Sequence, residues 1–148
     1  MRLWHQALIP YLDHQHLLGQ NRECCALRGG GWGRKHATVD YVFEHEPFML
    51  YRYHIRVMLE MKRRGYHPDQ RWALYSYRGL QDLPLFEDCN PAQDGELQIN
   101  ALMEDPSWII YPEHDEAYLK ECIVLLKTRN APMDFERVEK ELNIKGEK

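Results

Sequence analysis

The residues best equipped for chemistry lie near the start of the chain: His16, Arg22, Glu23 and Arg28, together with the α-amine of Met1. One carboxylate and two guanidiniums fall on what reads as a single early helix, separated from the chain terminus by a lead-in of thirteen residues. A carboxylate can accept a proton or stabilise positive charge as it develops, and a guanidinium fork can bond two phosphate oxygens at once. An amine acting as nucleophile must be uncharged. An α-amino group titrates near about 7.7–8.0 against about 10.4 for Lys, so the terminus is the better nucleophile at neutral pH.

These groups need an element to carry them, and the sequence from about Leu12 to Arg28 has one. Leu17, Leu18, Cys24, Cys25 and Leu27 recur at helix-compatible spacing, and Gly29-Gly-Gly31 stops the run. Arg22 and Glu23 are about 100° apart on that helix, with Gln15, His16 and Gly19 one or two turns back, so a polar face gathers around Glu23. Leu3, Trp4, Leu8 and Ile9 form an apolar lead-in ending at Pro10, which suits an arm tucked against the core.

A second helix is predicted over 47–64, where Phe48, Tyr51, Ile55, Met58 and Leu59 make an apolar stripe and Lys62, Arg63 and Arg64 complement the dipole before Gly65. Arg52 and Arg56 lie one turn apart on its polar face and could grip phosphates. A third helix is predicted from Pro112 over 113–129, with Tyr118, Leu119, Cys122, Ile123 and Leu126 inward, and Asp134 caps a short last one facing Phe135, Val138 and Leu142 to the core. Residues 29–46 run from a glycine-rich loop into a short strand or helical turn, and 66–110 read as irregular with short helical turns at most. The Gly-rich loop lacks the Gly-Lys-Ser/Thr ending of a phosphate-binding P-loop.

Composition bounds the class. At 148 residues and 44% hydrophobic the chain suits one domain over 1–148, with 145–148 frayed. The longest apolar runs fall far short of the roughly 20 residues of a membrane span and the start has no signal-peptide pattern, so a cytoplasmic protein is expected. Cys24, Cys25, Cys89 and Cys122 have no metal-ligand spacing and read as reduced thiols. The net charge of −4 hides an asymmetry: residues 1–78 carry 12 Lys and Arg against 7 Asp and Glu, and 79–148 carry 7 against 16. A basic half is the footprint a phosphate backbone would attract.

Gln15-His16-Leu17 followed by Arg22-Glu23, then Arg34-Lys35-His36, Met61-Lys-Arg-Arg-Gly-Tyr66, Tyr77-Arg-Gly79 and Tyr111-Pro-Glu-His114, form an ordered series. It resembles the pyrimidine-dimer DNA glycosylases, the phage-type endonuclease V family. The resemblance implies a mainly α, single-domain fold with three major helices, an N-terminal arm packed between them and long irregular connections. It also implies a glycosylase and abasic-site lyase that needs no metal or cofactor and works as a monomer on damaged double-stranded DNA. Glu23 resembles the family's catalytic glutamate, and Arg2, His16, Arg22 and Arg28 match residues that hold phosphates or the opened sugar, with Arg34 and Lys35 beside them. The chain departs from the family in two places. Arg2 is too bulky to permit removal of Met1, so Met1 itself must supply the amine, and an acidic, helical end and an extra 80–110 segment replace an aromatic, basic tail. Two other classes stay open: a DNA-binding module of the same fold that leaves abasic DNA uncut, and a metal-dependent hydrolase drawing on the eight histidines, although no HExxH or comparable spacing occurs.

Overall fold

The peptide groups of the N-terminal arm decide how the helices come together. In the computed structural model, which describes residues 2–34 and 39–144, Leu3, Trp4, Leu8, Ile9 and Leu12 are all buried. As predicted, the arm lies in the core. It continues as a 3-10 turn over Gln6–Tyr11 that accommodates Pro10 and is capped by the His5 side chain.

Asp13 then starts α1 (His14–Arg28), its carboxylate accepting the His16 N–H. The helix ends at the glycine triplet, where the Gly31 N–H reaches back 2.9 Å to the Ala26 carbonyl. A Cβ at Gly31 would sit 2.7 Å from that oxygen, so only glycine allows the turn. Helix α2 (Pro47–Arg63) has proline in its first turn and Lys62 and Arg63 in its last. Gly65, at φ +86°, closes it with paired bonds from Gly65 N–H to Lys62 and from Tyr66 N–H to Met61. Leu50, Tyr53, Val57 and Met61 of α2 face the main core with α1 and the arm. Tyr51, Ile55 and Met58 face a second cluster with Ala73, Tyr75, Phe86 and Ala101. Helix α2 is thus the wall shared by both clusters.

Two expectations are corrected. Residues 66–110 contain a true helix, α3 (Asp94–Met103), entered through a 3-10 turn at Pro91–Gln93 that Asn90 caps. It escapes detection because only Leu97 and Ala101 face the second cluster, while Ile99, Leu102 and Met103 are exposed, which erases the apolar stripe. Helix α4 (Glu116–Thr128) starts at an Asp115 cap, about one turn later than predicted from Pro112. The run expected as a short strand or a helical turn is the latter, a 3-10 turn at Asp40–Glu44. The short last helix, α5 (Phe135–Glu141), is capped by Asp134 as expected. Among the described residues there is no strand, no helix is long and apolar enough to cross a membrane, and the fold is mainly helical. The 145–148 tail, expected to fray, lies outside the described residues.

His114 explains the late start of α4. Its Nδ1 accepts the Gln6 N–H at 3.1 Å and its Nε2 lies 2.8 Å from the Tyr41 hydroxyl, while its ring stacks on His5 at 5.3 Å. Both rings are buried, and His5 Nδ1 accepts the Ala7 N–H at 3.1 Å. Burial, reinforced by the neighbouring His5, pushes His114 down to about 3; burial also lowers His5. A histidine lowered in the folded state contributes stability that is complete above its ordinary pKa of about 6.5 and is lost as pH falls below it. Denaturation of the wild-type chain between pH 7 and 5 is therefore expected to lose up to about 1.4 kcal/mol per pH unit for each such histidine. His114→Gln should make that pH dependence shallower by about one proton; an unchanged slope would show that His114 is not held neutral.

Candidate nucleic-acid interface and active site

Three side chains from three helices hold the first residues of the arm. Gln20 of α1 donates from Nε2 to the Arg2 carbonyl at 3.0 Å, and its Oε1 accepts the Trp4 N–H at 2.7 Å. The Tyr53 hydroxyl of α2 lies 2.5 Å from the Trp4 carbonyl and 2.9 Å from Gln20 Oε1. The Tyr118 hydroxyl of α4 donates to the Leu3 carbonyl at 2.5 Å. Gln20 stands one turn before Glu23, so the face of α1 that carries the carboxylate also carries the start of the chain.

Glu23 is buried, 6% exposed. Arg22, about 100° round the helix, is exposed and has no carboxylate within ion-pair distance among the described residues. With His14, Gln15, His16 and Leu18 it lines a concavity of about 510 Å³. His16 Nδ1 lies 2.7 Å from the Asp13 carboxylate, which can only accept. The N–H is thereby fixed on Nδ1, leaving Nε2 as the acceptor of the neutral ring. The His16 ring meets Trp4 edge-on at 5.7 Å. Two guanidiniums flank the same indole, Arg2 at 5.7 Å and Arg129 at 5.3 Å. Arg2 also reaches Glu121 at 3.6 Å, a long contact to a mostly exposed carboxylate. Arg34 is exposed on the loop after α1. Met1 and Lys35, the remaining expected site residues, lie outside the described residues.

Arg28 differs from its expected place. It is 0% exposed, because five residues after Glu23 it points about 140° away from that face. Its guanidinium donates to the carbonyls of Trp72 at 2.7 Å and Leu74 at 2.9 Å, and to His54 Nδ1 at 2.8 Å. It lies 5.1 Å from the rings of both Tyr51 and Trp72. Desolvation lowers it to about 10, still protonated at neutral pH. A buried cation with this environment organises the 72–77 segment and is not presented to a phosphate. Arg52 and Arg56 are likewise spent inside the fold, the first on both oxygens of Glu104, the second on Glu104 and on the Trp108 carbonyl.

The histidines are dispersed: His14 pairs with Tyr66, His45 with Glu113, and His54 with Asn21 and Arg28. Among the described residues no group of three His, Cys, Asp or Glu could hold a metal ion. Cys24 and Cys122 are buried thiols, and Cys25 and Cys89 are half-buried. Gln20 went unremarked in the sequence although its i−3 relation to Glu23 is legible there; Tyr53, Tyr118 and Arg129 join the site only through tertiary packing.

The family model for pyrimidine dimer DNA glycosylase matches residues 1–74, half of the chain and all of α1 and α2. The chain belongs to that family, whose substrate is DNA. No curated protein and no solved structure matches it.

Arg28 and Arg22 should therefore fail differently when neutralised. Arg28→Met takes the donor from His54 and from the Trp72 and Leu74 carbonyls and is expected to cost about 3–5 kcal/mol in denaturant unfolding, with no change in the salt slope of DNA binding by the folded protein. Arg22→Gln should leave stability unchanged and lower that slope by about one phosphate contact. A stable Arg28→Met chain with a reduced salt slope would put Arg28 at the DNA surface.

Proposed function

We propose that this member of the pyrimidine-dimer glycosylase family couples base removal to cleavage of the strand at the resulting abasic site, through a Schiff base to the α-amine of Met1. The observation that carries this reading is the bond from Gln20 to the Arg2 carbonyl, one turn along α1 from the buried Glu23. It ties the backbone next to Met1 to the helix face bearing the carboxylate.

The chemistry runs in two stages. The neutral amine attacks C1′ as the bond to the base breaks through an oxocarbenium-like state, and the Glu23 carboxylate stabilises that charge. Loss of a proton from nitrogen and opening of the sugar ring give the imine. The imine acidifies the C2′ proton; its removal, assisted by Glu23, expels the 3′ phosphate by β-elimination, and water then hydrolyses the imine to free the amine. Arg2, Arg22 and Arg34, with Lys35, hold phosphates on either side of the lesion, and His16 orients a phosphate or the opened sugar through Nε2. The enzyme acts as a monomer, in the cytoplasm, with no metal or cofactor.

Borohydride reduction during turnover on an abasic duplex, with chelator present, should trap a protein–DNA adduct that peptide mapping places on Met1. Glu23→Gln should abolish both base removal and strand cleavage while duplex affinity is kept. An adduct on a lysine, or full activity in a chain extended by one glycine before Met1, would overturn the terminal-amine reading. Unchanged nicking by Glu23→Gln would exclude the carboxylate.

A further inference from the structure

Gln20 is 2% exposed, and its side-chain amide is committed to the arm at both ends. Nε2 donates to the Arg2 carbonyl at 3.0 Å; Oε1 accepts from the Trp4 N–H at 2.7 Å and lies 2.9 Å from the Tyr53 hydroxyl. A glutamine amide offers both a donor and an acceptor, and this pair of backbone partners, two residues apart, uses both. An aliphatic residue of similar volume would leave a buried N–H and a buried carbonyl without their partner.

Of the three side chains that hold residues 2–4, Tyr53 comes from α2 and Tyr118 from α4. Only Gln20 shares a helix with Glu23, three residues away, a separation fixed by helix geometry. Successive Cα atoms are about 3.8 Å apart, so the nitrogen of Met1 is tethered within one residue's length of Arg2. Resting on the terminal-amine reading above, we infer that Gln20 is a positioning residue: it sets the distance between the attacking amine and Glu23 by clamping the Arg2 carbonyl one turn from that carboxylate. It touches neither substrate nor reacting atoms. Attack on C1′ requires an approach of about 3–3.5 Å, and a misplacement near 1 Å can cost about 100-fold in rate. Loosening the clamp should therefore reach catalysis while leaving the phosphate-binding groups where they are.

Three variants of the full chain test this, all assayed well below their unfolding temperatures. Gln20→Leu removes donor and acceptor; Gln20→Glu keeps acceptors for the Trp4 N–H and Tyr53 hydroxyl and loses the donor to Arg2. Met58→Ala, a truncation in the second apolar cluster, controls for lost stability. Single-turnover borohydride trapping on an abasic duplex should fall about 100-fold in Gln20→Leu, with Gln20→Glu intermediate and Met58→Ala at the wild-type rate. The dissociation constant for a duplex carrying a non-cleavable tetrahydrofuran abasic site should be unchanged in all three. Wild-type trapping in Gln20→Leu, or an equal loss in Met58→Ala, would overturn the positioning role alone. Absence of a Met1 adduct in the wild-type chain would overturn the terminal-amine reading itself.

Discussion

An extended segment can lie inside a helical core only if its peptide groups find partners, because a buried amide or carbonyl left unpaired costs about 1–3 kcal/mol. Helices cannot supply those partners from their own backbones, which are already bonded within the helix. Side chains must do it. Here the carbonyls of Arg2, Leu3 and Trp4 and the Trp4 N–H are taken by Gln20, Tyr118 and Tyr53, one side chain from each long helix. The requirement thus fixes more than the arm: α1, α2 and α4 converge on the same three residues, and the face of α1 that carries Glu23 is aligned by the constraint that buries Leu3 and Trp4.

Charge is distributed in the same economical manner. The sequence divides into a basic first half and an acidic second half, yet the fold sets the two against each other. Glu104 receives Arg52 and Arg56, Glu113 receives His45, and Glu121 approaches Arg2. Glu60, within the basic half, holds Arg63 and Arg64. Arg28 is fully enclosed. Of the arginines expected at the site, Arg22 and Arg34 remain exposed, and Arg2 lies with Arg129 over the Trp4 indole. Total charge by half therefore says little about the interface; position on the helices says more.

The elements legible in the sequence are those whose signal is local. The glycine triplet after α1, Pro47 and Gly65 around α2 and Asp134 before α5 act through caps and turn chemistry that operate within a few residues, and the apolar stripe of α2 is strong because both its faces are buried. The elements that escaped depend on distant partners. Helix α3 leaves Ile99, Leu102 and Met103 outside, so periodicity is absent where packing is one-sided. Helix α4 begins late because His114 is drawn to Gln6 and Tyr41, more than seventy residues away in sequence. Arg28 was grouped with Arg22 because composition and nearness cannot distinguish a surface arginine from one that binds the 72–77 backbone; the residue count around α1 could have. Counting at 100° per residue separates it from Glu23 by well over a right angle, and the same count places Gln20 beside the carboxylate.

The two long helices of the matched region also differ in a way that bears on function. Helix α2 buries His54 and Glu60 within a strong apolar stripe, whereas α1 is the less amphipathic of the two and buries Gln20, Glu23 and Arg28 alongside Leu17, Cys24 and Leu27. Buried amide, carboxylate and guanidinium groups are costly unless every one is engaged, and a helix built for stability alone would carry leucines there. Gln20 is engaged on the arm and Arg28 on the 72–77 segment. The sequence thus violates its own helical pattern along the stretch where the carboxylate, the histidine and the exposed Arg22 gather. Conflict between local pattern and global fold is expected where function has been placed. That conflict is the physical reason why α1 is the harder of the two helices to read as a helix.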